Sequence, residues 1–110
     1  MHRMSDVRSV AANSVVENVL SGKLHEFLGE NSSVRLLATG SAAGARVTIL
    51  VGGESLVQDQ EISAANRFPL FPDDFVVEGA GFSGDRMVLS LRNTTGVAIT
   101  VQSVVDTDPL

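Results

Sequence analysis

The segment Arg86–Arg92 reads RMVLSLR, with Met87, Leu89 and Leu91 at every second position and Arg86, Val88, Ser90 and Arg92 between them. An extended chain turns successive side chains to opposite faces, whereas a helix brings a face round about every 3.6 residues. Strict alternation therefore fits a strand with one buried face. The pattern recurs. Val47, Ile49 and Val51 alternate within Arg46–Val51, and Leu24 and Glu26 alternate with His25 and Phe27. Farther on, Val97, Ile99, Val101 and Ser103 share one face of Val97–Val105, with Thr100, Gln102 and Val104 on the other. No long segment carries a sustained helical stripe.

The punctuation agrees with this period. Gly52-Gly53 is a two-residue turn whose glycines accept positive φ, so Arg46–Val51 and Glu54–Ile62 read as a hairpin. Val34–Thr39 ends at a Gly-Ser turn, and Asn93-Thr94-Thr95-Gly96 separates the last two strands, read as a pair about that turn. Ser14–Leu20 fits either a helical stripe or an edge strand and is read as a strand. The first residues are polar and weakly patterned. The expectation is an all-β chain: a single antiparallel β-sandwich or jelly roll of seven to eight strands over residues 13–110, with a flexible N-terminal arm over 1–12.

The segment RFPLFPDDFVVEGAGF (Arg67–Phe82) holds four of the five phenylalanines, Phe68, Phe71, Phe75 and Phe82, and two of the three prolines, Pro69 and Pro72. Proline has no N–H to give to a central strand, so RFPLFPDD reads as a long crossover between the two sheets. Phe68, Phe71 and Phe75 then have two uses. They can close an open end of the core, or they can anchor a partner subunit. Both uses are compatible for different rings.

The charge of −5, from 13 acids against 8 bases, argues against direct binding to a phosphate backbone, because that affinity comes from clustered Lys and Arg. Lys23 is the lone lysine, and the arginines are dispersed. Contact with nucleic acid is expected to be weak at most. No apolar run is long enough for a membrane helix, and no apolar leader segment is evident, so a cytoplasmically made chain with no membrane partner is expected.

Without cysteine the chain has no thiol nucleophile and no thiolate metal site. The histidines are His2 and His25, neither paired with a nucleophile in the sequence, and GFSGD (Gly81–Asp85) lacks the spacing and the helix of a nucleophile elbow. No catalytic residue and no cofactor is expected. Asp59, Glu61, Asp73, Asp74 and Asp85 stand in no calcium-loop order, and Asp is common in turns for its own backbone bonds. Asp73 and Asp74 are the candidates if a cation binds. VGGES lacks the lysine of a phosphate loop, and the absence of Trp and Tyr disfavours sugar stacking. Asn31-Ser32-Ser33 and Asn93-Thr94-Thr95 match the glycan acceptor pattern and are read as turn sequences.

The stretch FPLFPDDFVVEGAGFSGDRMVLSLRNTTGVAITVQSVV, within Asn66–Val105, resembles small structural proteins of bacterial viruses. The similar elements are the Phe-Pro loop, Pro-Asp-Asp-Phe, the Gly-Asp-Arg entry into an apolar strand, and Arg-Asn-Thr-Thr-Gly before the last strand. The resemblance implies a non-enzymatic virion component made in the bacterial host, either a jelly-roll shell subunit or a decoration protein. It would act by symmetric self-association and by contact with other capsid proteins. The expected interface residues are Val7 and Val10 in the arm and Phe68, Leu70 and Phe71 in the loop. The alternative is a receptor- or ligand-binding sandwich module of a fibre or adhesin.

Overall fold

A computed structural model describes residues 2–22, 26–65, 69 and 74–109. Nine strands lie among them, and no helix. They are β1 (His2–Val10), β2 (Val15–Val16), β3 (Ser32–Gly40), β4 (Ala45–Val51), β5 (Glu54–Glu61), β6 (Ser63–Ala64), β7 (Phe75–Gly81), β8 (Met87–Asn93) and β9 (Ile99–Pro109). The pairing is nested. β4 pairs with β5, β3 with β7, β2 with β8 and β1 with β9, all antiparallel. The chain is thus one long hairpin with its bend at Gly52-Gly53, whose φ of 63° and 84° meet the need of a tight turn for two positive values. The hairpin is rolled so that β9 also meets β3 and β8 also meets β4. One sheet runs β1-β9-β3-β7, with β6 added parallel to the end of β3, and the other runs β2-β8-β4-β5. This is the strand order of a jelly roll.

The core lies between the sheets and follows the alternation. Val47, Ile49 and Val51 of β4 and Met87, Leu89 and Leu91 of β8 are all buried, as are Val34, Leu36 and Ala38 of β3 and Ile99, Val101 and Val105 of β9. Each of the Val, Leu, Ile and Met side chains among them contributes roughly 1.5–3 kcal/mol by leaving water. The core of the described residues is wholly aliphatic apart from the thioethers of Met4 and Met87. On the side where β5 and β7 approach, Leu56 lies directly on Gly79, where an added Cβ would come within 2.7 Å of it.

Two expectations need correction. His2–Val10 is not a flexible arm but a strand in continuous register with β9, from His2↔Thr107 to Val10↔Ile99. Its inward positions are Met4, Asp6, Arg8 and Val10. The two charges interrupt the apolar pattern, and they satisfy each other through paired hydrogen bonds of 3.0 and 3.2 Å. Val10, expected at an interface, is 1% exposed in the core, whereas Val7 is 63% exposed. The strands on either side of Asn93–Gly96 do not pair, because β8 and β9 belong to different sheets. The turn is real, but it carries the chain across the sandwich, and Val97 stays exposed ahead of β9.

Phe75, open on the sequence to either use, begins β7 opposite Leu37 and is 41% exposed. Phe68, Leu70, Phe71 and Asp73 lie outside the described residues, as do Leu24 and His25. The outer face of the β1-β9-β3-β7 sheet is also less open than a one-sided sheet implies. Leu37 and Val104, register partners on that face, are buried yet separate from the core cluster.

Candidate functional site

At one end of the sandwich three connections meet: residues 26–31, the Gly52-Gly53 turn, and residues 82–86 between β7 and β8. Residues 26–28 run beside 84–87 as a partial strand. Met87 N donates to Glu26 O, Leu28 N to Asp85 O, and Gly84 N to Leu28 O, at 2.7–2.9 Å. Phe27 and Arg86 form the isolated bridge of that ladder.

Side chains then lock the two loops together. The Asp85 carboxylate accepts from Phe82 N at 2.8 Å, and Ser83 N donates to Asn31 Oδ1 at 3.0 Å. The Ser83 hydroxyl donates to Gly29 O at 3.2 Å. Glu26, buried at the base, accepts from the Arg86 guanidinium and from Gly22 N. The Arg86 bond, followed by that from Gly22, holds the Glu26 carboxyl below its ordinary range against a smaller opposing effect of burial. Arg86 also stands 6.0 Å from the centre of the Phe27 ring.

Two aromatic rings project from this frame. Phe27 is 58% exposed and Phe82 is 71% exposed. A shallow cleft beside Phe27 is bounded by Leu28, Glu30, Ser32, Thr107 and Pro109. With Phe75, every described phenylalanine therefore stands outside the core. The alternation placed Phe27 on a strand, but it could not show that the strand would be reduced to a single bridge with the ring outward.

The other sequence candidates are dispersed. Val7 is on the outer face of β1, three residues from Val10 but on the opposite face from its core position. Asp74 is 2% exposed and its carbonyl accepts from Ala38 N, so its place is inside the β3–β7 junction. Among the described residues no group of three or more His, Cys, Asp or Glu converges as a cation would require. Asp59 instead takes a left-handed φ of 52° in β5 and binds two arginines, Arg92 at 2.7 Å and Arg46 through its carbonyl at 3.1 Å. Asn93 is 1% exposed with its amide fully engaged, which fits the turn reading of that sequon. Among the described residues no helix is long and apolar enough to cross a membrane.

The fold and this end of it define a β-sandwich that presents aromatic side chains on a hydrogen-bonded frame. No protein-family model matches the chain, and no curated protein matches it.

Proposed function

We propose that the protein is a non-enzymatic structural subunit that works by associating with copies of itself, as a shell or decoration component of a bacterial virus. One observation carries the self-association: among the described residues the core holds no aromatic side chain, while Phe27 and Phe82 stand largely exposed. A large ring held in water gains by being covered, and aromatic residues dominate the energy of protein contacts. Phe27 and Phe82 sit on loops already fixed by hydrogen bonds, so little freedom is lost when they dock. The virion assignment is supported by the resemblance over Asn66–Val105 and by the jelly-roll strand order, which shell proteins share with other classes.

The test is light scattering on the size-exclusion peak of the purified chain, with negative-stain imaging of the same fraction. Regular particles or a closed ring are expected, and Phe82→Ser combined with Phe27→Ser reduces them to small species with an unchanged β spectrum. A monomer at all concentrations, with no binding to a preformed shell, would sink the proposal.

A further inference from the structure

A sheet edge offers unpaired N–H and C=O groups, and proteins blunt such edges with bulges, short strands, covering loops or inward-pointing charges. Among the described residues three of the four edges are blunted by the first three of these, and β1 by inward charges alone. β2 has two residues, and beyond it β8 is met by residues 17–19 and by Glu26: Val19 N donates to Leu89 O, Asn18 Oδ1 accepts from Leu89 N, and Glu26 O accepts from Met87 N. β5 shifts register twice against β4 and carries the left-handed Asp59. β7 shifts register against β3 and contains Gly79 and Gly81. β1 differs. Its nine residues run without a bulge, and among the described residues it pairs on one side only. It contains no proline, lysine or glycine.

We propose that β1 is the contact edge of a symmetric dimer, pairing antiparallel with β1 of a second copy about a two-fold axis through Val7. The charge pattern selects this register. A two-fold axis normal to the sheet keeps each residue on its own face, so opposed residues have the same parity and the axis passes through a residue. Centred on Val7, Asp6 faces the partner's Arg8, Arg8 faces the partner's Asp6, and Met4 faces the partner's Val10. On the outer face Val7 meets the partner's Val7, flanked by Ser5 against the partner's Ser9. Centring on Asp6 or on Arg8 would oppose like charges, which is unfavourable across a strand pair. Centring on Ser5 would set Asp6 against Met4.

The inward charges that keep β1 from pairing with an arbitrary strand are thus matched only by its own sequence reversed, which makes the edge selective. The result is one continuous sheet, β7-β3-β9-β1 joined to its copy. This contact deepens the self-association reading but lies on a different surface from the phenylalanines.

Cysteine scanning tests it, because the chain has no thiol of its own. Ser5, Val7 and Ser9 are exposed, so the substitutions leave the core untouched. Opposed Cα atoms in an antiparallel pair are about 4.5–5.5 Å apart, within disulfide reach. Under mild oxidation Val7→Cys should form a covalent dimer about tenfold faster than Ser5→Cys or Ser9→Cys alone, since those positions are offset from the axis. An equimolar mixture of Ser5→Cys and Ser9→Cys should recover the fast rate. Rates that do not differ among the variants, or a mixture no faster than its components, overturn the pairing. The readout is the same in a dimer or in a larger particle. Loss of large particles with this pattern intact therefore speaks against the aromatic surface, not against β1.

Discussion

At the residue scale, Gly52 and Gly53 look interchangeable in the sequence and are not. Both have left-handed φ, but a Cβ on Gly52 would lie 2.7 Å from the Asp85 carboxyl carbon, whereas Gly53 faces open space. Gly53→Ala should cost roughly 1–2 kcal/mol, the conformational penalty alone. Gly52→Ala should cost more, because Asp85 must also move and release Phe82 N; urea unfolding of the two variants measures the difference. Asn93 is the second residue with a large role. Its amide nitrogen donates to Val10 O at 3.0 Å and Val97 O at 2.7 Å, while Oδ1 accepts from Thr95 N at 2.9 Å. It ties the end of β1, the end of β8 and the turn into one knot. Asn93→Ala removes the buried bond to Val10 O and the acceptor of Thr95 N, and should destabilise by about 1–3 kcal/mol, read from the urea midpoint at unchanged slope.

At the element scale, the ladder of residues 26–28 on 84–87 depends on the Glu26–Arg86 pair. The Glu26 carboxyl is lowered from the ordinary 4.5 by its bond from Arg86, then by that from Gly22. Below the ordinary value the unfolded chain therefore holds more protons at this site than the folded one, and stability rises with pH there. The contribution is complete above the ordinary value and drains as pH falls through the lowered folded value. Glu26→Gln should therefore flatten the acid limb of thermal stability as pH falls below the ordinary carboxyl value, with the melting temperature as the readout. β4 and β8 were readable as elements because their core residues alternate, β5 as the return strand of the Gly52-Gly53 turn, and β3 as an apolar run ended by a Gly-Ser turn. β1 was not, since Asp6 and Arg8 occupy its inward parity, where they pair with each other.

At the scale of the whole molecule, the nested hairpin places β1 and β2 along one side of the sandwich and β5 and β7 along the other, where Leu56 on Gly79 closes the gap. The radius of gyration, 13.0 Å, is that of one compact domain of this length, so the exposed phenylalanines are not a sign of a loosened core. Their removal should therefore change association and leave stability within about 0.5 kcal/mol, as for surface positions generally. A large loss of stability in Phe27→Ser or Phe82→Ser would mark the rings as part of the fold. The β1 edge and the aromatic end are separate surfaces, so a particle that used both would fail in distinguishable ways.

The sequence by itself determined the strand class, the faces of β4 and β8, and the bend at Gly52-Gly53. These depend on local geometry: alternation has one period, and a two-residue turn with two positive φ values admits little but glycine. Tertiary structure decided which sheet each strand joins, that Asn93–Gly96 crosses between sheets, that residues 2–10 form a strand, and that the described phenylalanines face outward. Those outcomes rest on pairings between residues as far apart as His2 and Thr107. Alternation tells a side chain which face it shares, but not which distant strand will cover it.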